Sequence, residues 1–278
     1  MKKVWLITGC STGFGRALAT EALAQGYRVA VAARKTEDVQ DIVSAYPDTA
    51  IALKLDVTIP EQIKAAVATT LEKFNQIDVL VNNAGIGYFA AIEESEEAEV
   101  RRMFDINFFG LAKMTQEVLP QMRKQKSGHI LNISSIGGLR SFPGIGFYNA
   151  SKYAVDGLSE SLHKEVSPLG IKVTIIAPSG FRTDWAGRSA KDTSIKIDDY
   201  ATTAGENQAT IRGYSGNQAG DPVRAAKAMI NVTETGHPPL RLLLGAAALK
   251  GARIKVEELK HDFETWAAVS EAADFPKQ

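Results

Sequence analysis

The sequence is nearly without cysteine: Cys10 stands alone among 278 residues. That excludes an internal disulfide and any metal site built from cysteines, and it suits a reducing, cytoplasmic compartment. Cys10 itself reads as a small buried filler. Histidine is scarce too, and His129, His163, His237 and His261 show no metal-pair spacing. They read as packed or solvated groups, and no metal is expected. Charge of one sign is missing, because 32 Lys and Arg offset 32 Asp and Glu. Without a basic excess nothing calls for nucleic acid, and without an acidic excess nothing calls for a cationic partner. No apolar run approaches the ~20 residues that span a bilayer, so no membrane partner is expected. Repeats, low-complexity tracts and linkers are absent, and no targeting segment is expected ahead of the first strand-like run.

What is present is an alternation. Short apolar runs, rich in β-branched residues or leucine, occupy 4–7, 28–33, 50–55, 78–83, 129–134, 171–177 and 240–244. Helical periodicity fills most of the gaps: 16–26 closes on Gly26, and 60–74 opens on Pro60. Apolar strands without polar alternation are buried on both faces, as in a parallel sheet covered by helices. Seven of them with crossovers predict a doubly wound α/β sheet, one domain over 1–278 with its core at about 3–245. The polar stretch 186–220 breaks the rhythm and reads as a mobile functional loop, with a disordered surface insertion as the alternative. The tail 246–278 carries Leu249, Ile254, Leu259, Phe263 and Trp266, and reads as one or two amphipathic helices packed against the body.

The stretch TGCSTGFG at 8–15 lies between the first strand and the first helix. A helix start exposes unpaired N–H groups that favour a phosphate. Gly9, Gly13 and Gly15 let a pyrophosphate approach, and Ser11 and Thr12 add hydroxyl donors. A plain tight turn is the other reading. Past this loop, the end of the second strand distinguishes the dinucleotides: NAD sites offer a carboxylate there, NADP sites a cation. Here Ala32 and Ala33 are followed by Arg34 and Lys35. A guanidinium clamps phosphate in bidentate fashion, so Arg34 predicts NADP(H) over NAD(H), unless it is merely a solvated loop charge.

Tyr148 and Lys152 lie one helical turn apart at the start of a helix-like segment, 148–166. A phenol with a pKa of about 10 exchanges protons poorly at neutral pH. An ammonium ~5 Å away favours phenolate by about 3 kcal/mol, or roughly two pKa units, with desolvation working in the opposite direction. Ser135 ends the strand before this helix, where a parallel sheet opens its ligand crevice. Its hydroxyl suits a substrate carbonyl oxygen; a turn-capping role is the alternative.

Taken together these residues resemble the short-chain dehydrogenase/reductase family, in its short single-domain branch, over about 3–245. The motifs are Thr8-Gly9-x-x-x-Gly13-x-Gly15, Asp56-Val57, Asn82-Asn83-Ala84-Gly85, Asn107 before Phe108-Phe109-Gly110, Ser135, and Tyr148-x-x-x-Lys152. The stretches 8–15 and 148–158 are most similar to hydroxysteroid, retinol and carbonyl reductases. The resemblance implies a Rossmann sheet and hydride transfer between nicotinamide and a carbonyl or carbinol carbon. By that likeness Tyr148 is the acid in reduction and the base in oxidation. Lys152 lowers its pKa and holds the nicotinamide ribose beside it, and Ser135 orients the substrate oxygen. Asn107 holds a water that links Lys152 to solvent. Asp56 and Val57 frame the adenine, and Asn83, Ala84 and Gly85 line the cofactor cleft. Two departures stand out. The usual Pro-Gly-x-x-x-Thr is here Pro178-Ser179-Gly180-Phe181-Arg182-Thr183, with Pro178 and Thr183 expected to keep the carboxamide contact. Phe14 replaces an aliphatic residue in the glycine loop, a change of packing.

The likeness also implies a homodimer or homotetramer through the helices that carry Met114, Val118 and Met122 and Ala154, Leu158 and Leu162, although these residues could equally be core. The substrate loop, about 184–220, together with Tyr88, Phe142, Phe147, Phe181 and Trp185 suggests a hydrophobic ketone, aldehyde or secondary alcohol, although each of these aromatics could equally be core. Two rival functions remain: a catalytically silent dinucleotide-binding regulator of the same fold, and nucleotide-sugar chemistry, which asks for a longer C-terminal part.

Overall fold

The computed structural model describes residues 2–275. Its strands are β1 (Val4–Ile7), β2 (Arg28–Ala33), β3 (Ala50–Lys54), β4 (Val79–Asn82), β5 (Gly87–Phe89), β6 (Gly128–Ile133), β7 (Ile171–Pro178), β8 (Ala190–Asp192) and β9 (Arg241–Leu244). Its helices are α1 (Gly13–Ala24), α2 (Gln40–Ala45), α3 (Pro60–Phe74), α4 (Glu97–Phe104), α5 (Leu111–Gln125), α6 (Gly146–Val166), α7 (Glu206–Gly213), α8 (Pro222–Glu234), α9 (Ala246–Thr265) and α10 (Ala267–Glu271).

Seven strands form one parallel sheet in the order β3-β2-β1-β4-β6-β7-β9. The expected doubly wound sheet is therefore present. Successive side chains on a strand point to opposite faces. Trp5 and Ile7 pack with Leu18, Ala22 and Met229 on the α1/α8 face, whereas Leu6 packs with Met114, Val118 and Met122 on the other. The methionines considered for a subunit interface are thus buried in the core. Strand order reverses between β1 and β4, and ligands of such sheets bind at the strand ends beside that switch point. The glycine loop leaves β1 there and Asn83-Ala84-Gly85 leaves β4.

Local signals account for most boundaries. Pro60 opens α3 and Asn75, at φ 65°, ends it in the left-handed region. Between α4 and α5 the chain makes a π-helical turn, Asp105–Gly110. In it a Gly110 Cβ would lie 2.7 Å from a methyl of Val57, so the turn presses directly on the loop after β3.

Two expectations need correction. The polar excursion is ordered: β8 pairs in parallel with β5 in a second small sheet, and α7 follows. Its order comes from a partner about a hundred residues away, which local composition does not reveal. The tail is helical, but only Ala248, Gly251 and Ala252 of α9 are buried among its described residues, and Glu258 lies 3.5 Å from Arg140 of the body. Phe263 and Trp266 stay 67% and 62% exposed. No helix of the described residues is long and apolar enough to cross a membrane.

Candidate active site

A cleft of about 1560 Å³ opens at the strand ends beside the switch point. Every cofactor-binding and catalytic residue named from the sequence lines it, except Gly15 and Asn107. Those two act from behind. A Cβ at Gly15 would collide with the Gly9 carbonyl, so this glycine lets α1 close on its own loop. Asn107 is 1% exposed. Its Oδ1 accepts from the Ile86 N–H at 2.8 Å, and its Nδ2 donates to the Ile86 carbonyl at 2.9 Å and to Ser151 Oγ at 3.2 Å. The side chain braces the loop after β4, with one Oδ1 lone pair left for the water expected of it.

The phosphate end is built from backbone. Gly9 and Gly13 have φ of 70° and 60°, which L-residues rarely adopt. A Cβ on Gly9 would also stand 2.9 Å from Ala84 Cα. Thr8 and Asn83 hold the two loops together: Thr8 Oγ1 accepts from the N–H groups of Asn83 and Ala84 at 2.9 and 3.0 Å, and Asn83 Nδ2 donates to the Thr8 and Gly9 carbonyls at 2.8 and 3.0 Å. Thr8 was visible only as a motif position; its role as the clasp needed the fold. Helix α1 has no side-chain cap and no acidic residue in its first turn. Its free N–H groups therefore suit an anion, and the glycine cradle that a Cβ would fill fits a dinucleotide pyrophosphate. Cys10 is buried in this turn, and burial pushes its thiol up to about 12, consistent with an inert filler. Phe14 packs edge-on against Phe181 with centroids 5.0 Å apart, so its departure from the family pattern is one of packing.

Beyond β2, Arg34 is exposed on the cleft wall, and Asp38 lines the same cleft. Asp56 Oδ1 accepts from the N–H and hydroxyl of Thr58 at 2.9 and 2.7 Å, an Asx turn that fixes the carboxylate beside Val57. At the opposite end Thr183 packs over the glycine loop, with a Gly13 Cβ position 3.4 Å from Thr183 Cβ. Ser179, in the usual glycine position, lines the cleft, and its hydroxyl donates to the Leu244 carbonyl at 3.4 Å. Pro178 and Gly180 remain on the wall.

Tyr148 stands on the first turn of α6, which begins at Gly146. Its ring lies 4.7 Å from that of Trp185. Burial pushes the phenol up to about 12, opposed by a hydrogen bond with Ser135. Lys152 Nζ sits 5.8 Å from the ring centroid and donates to the Ile133 carbonyl at 2.8 Å. Burial lowers its pKa to about 8. The phenol is thus raised where a lowering by the ammonium was expected: burial is the largest cause, and the amine donates to the end of β6. Of the suggested pocket aromatics, Phe142, Phe181 and Trp185 line the cleft. Tyr88 belongs to a core cluster instead, at 3% exposure with its hydroxyl accepting from the Glu96 N–H at 3.0 Å, and Phe147 is partly buried against that cluster.

An oxidoreductase of Botryotinia fuckeliana, BOA17, is 38% identical over 274 residues, covering 98% of this chain and all of that protein. A short-chain dehydrogenase from Streptomyces avermitilis superposes with a TM-score of 0.92 at 42% identity, covering 99% of each chain. A Burkholderia phymatum short-chain dehydrogenase/reductase solved with NAD has a TM-score of 0.81 at 25% identity, covering 94% of this chain and 95% of that one. Residues 3–194 match the short chain dehydrogenase family model. A sheet reversed at β1 and β4, a match across more than half the sequence and relatives aligned from end to end leave one assignment: this chain belongs to the short-chain dehydrogenase family.

Proposed function

We propose that the protein transfers a hydride between NADP(H), in preference to NAD(H), and a hydrophobic ketone, aldehyde or secondary alcohol, with Tyr148 as the proton donor or acceptor. One observation carries this reading: a phenol beside Ser135 and one turn before Lys152, in the same cleft as an uncapped, glycine-built helix start. When bound, the cofactor supplies or accepts the hydride. Tyr148 gives its proton to the carbonyl oxygen in reduction and takes it back in oxidation, while the Ser135 hydroxyl holds that oxygen. Lys152 would hold the nicotinamide ribose hydroxyls, and its charge beside the phenol would offset the burial that weakens the phenol as an acid. Phe142, Phe181 and Trp185 give the substrate side apolar walls, which favours a hydrophobic carbonyl compound. Arg34 supports the NADP(H) preference; the Burkholderia neighbour with NAD and Asp38 on the same wall mark NAD(H) as the competing cofactor.

The test is a panel of carbonyl compounds with NADPH, followed at the nicotinamide absorbance, with Tyr148→Phe in parallel. The variant should lose about 10³-fold in kcat. A Tyr148→Phe protein as active as its parent would refute the acid, and silence across a broad panel would favour the regulator reading.

A further inference from the structure

Helix α6 carries further charges in line with the pair just described. Tyr148, Lys152, Asp156 and Glu160 follow at one-turn spacing and share a face. Arg241 reaches both carboxylates from β9, with Nη2 3.0 Å from Asp156 Oδ2 and 2.9 Å from Glu160 Oε1. Its Nε lies 3.3 Å from the same Asp156 oxygen. Asp156 is only 4% exposed. Its Oδ1 has no hydrogen-bond partner among the described residues. The turn after Ser135 lies against it, for a Gly138 Cβ would stand 3.0 Å from that Oδ1 and 3.0 Å from the Lys152 carbonyl.

A carboxylate this deep is expensive to keep, and a purely structural ion pair between α6 and β9 would be poor compensation. Its position explains it better. Facing the Lys152 amine are the phenol of Tyr148, the Ile133 carbonyl, Asn107, and Gly85, whose Cβ position is 3.7 Å from Nζ. Ser134 and Ser135 follow Ile133 at the end of β6, and Arg241 and Glu160 lie beyond Asp156. No formal charge among the nearest groups favours an ammonium, except Asp156. Burial lowers Lys152 to about 8, and the field of Asp156 is what opposes that fall.

We infer that Asp156, held by Arg241, is a positioning residue that keeps Lys152 cationic and so acts on Tyr148 through the lysine. The inference rests on the function proposed above for Lys152. Arg241 completes the device: burial pushes the Asp156 carboxyl up, and Ser134 and the guanidinium oppose that rise.

The test reads the lysine directly, in protein free of nucleotide. Acetic anhydride acylates only the neutral amine, so the yield at Lys152, followed by mass spectrometry across pH, gives its midpoint. In Asp156→Asn the midpoint should fall by about one pH unit, and Asp156→Glu should return it toward the parent. The alkaline limb of carbonyl reduction should move to lower pH in the same variant, because the reaction needs the lysine charged and Lys152 now loses its proton earlier. Should Asp156→Asn fail to fold, judged by its circular-dichroism melt, the double variant Asp156→Asn/Arg241→Gln removes both members of the pair. Its midpoint should still lie below the parent, since the carboxylate is the nearer charge. An unchanged midpoint in either folded variant overturns the inference and leaves the proposed reaction standing. An active Tyr148→Phe does the reverse.

Discussion

The two ends of the cleft are held in place by different parts of the chain. At the phosphate end the scaffold is mostly main chain: positive-φ glycines, an uncapped helix start, and a Thr8–Asn83 clasp whose hydrogen bonds all involve backbone groups. At the substrate end the scaffold is one side chain. Arg212 donates to the carbonyls of Ala186, Gly187 and Ala190 at 2.7, 2.8 and 2.8 Å, pairs with Asp192 at 3.0 Å, and stacks 4.3 Å from the Phe89 ring centroid. It thereby fastens 186–192 beside Trp185. A backbone cradle fits one ligand shape and tolerates almost no added atom. A wall fastened by a long side chain can be rebuilt without disturbing the cradle. The two ends should therefore fail separately, one in cofactor affinity and the other in carbonyl KM.

Gly9→Ala should produce the largest separation. The added Cβ meets the Ala84 backbone at 2.9 Å in a conformation with φ 70°. Strain of about 2 kcal/mol, roughly thirtyfold in cofactor affinity, is expected. Fluorescence titration with NADPH measures it; a variant that binds as the parent does would mean that the loop is not the cradle.

The same contrast explains what could be read without coordinates. Glycine spacing, Tyr148 and Lys152, and the seven apolar runs are local signals, since each residue type answers a nearby backbone need. The strand in the excursion was not legible because β8 pairs with β5, about a hundred residues earlier, while Arg212, inside the same polar stretch, reads as one more loop charge. Tyr88 and Phe147 passed for pocket aromatics because an aromatic at a loop edge carries no mark of which way it faces. Asp156 was readable as a charge one turn after Lys152, but its meaning required Arg241 from β9. The phenol's pKa failed for a related reason: spacing gives the charge, and burial, the largest cause of the shift here, is a tertiary quantity.

Arg34→Ala comes next in size and sharpens the adenosine end. If Arg34 holds the 2′-phosphate as proposed, losing its guanidinium should raise the KM for NADPH about tenfold. The KM for NADH should stay within about twofold, since it has no 2′-phosphate to lose. Steady-state kinetics with both cofactors decides it. A parallel rise for NADH would assign Arg34 to the loop's architecture, and a parent that prefers NADH would give the wall to Asp38.

Arg212→Met should have the smallest effect on turnover and the clearest address. The segment 186–192 would lose three side-chain hydrogen bonds and an ion pair while β5–β8 pairing remains. At ~1 kcal/mol for a typical bond, the segment should open more often without unfolding the sheet. Amide hydrogen exchange should speed up across 187–193, and the KM for the carbonyl substrate should rise a few-fold as Trp185 loses its support. NADPH affinity should not move, because Thr8, Asn83 and the glycine loop make no contact with Arg212. A matching loss of NADPH affinity would show that the two ends of the cleft are one mechanical unit after all, with Thr183, packed on Gly13 and two residues before Trp185, as the link between them.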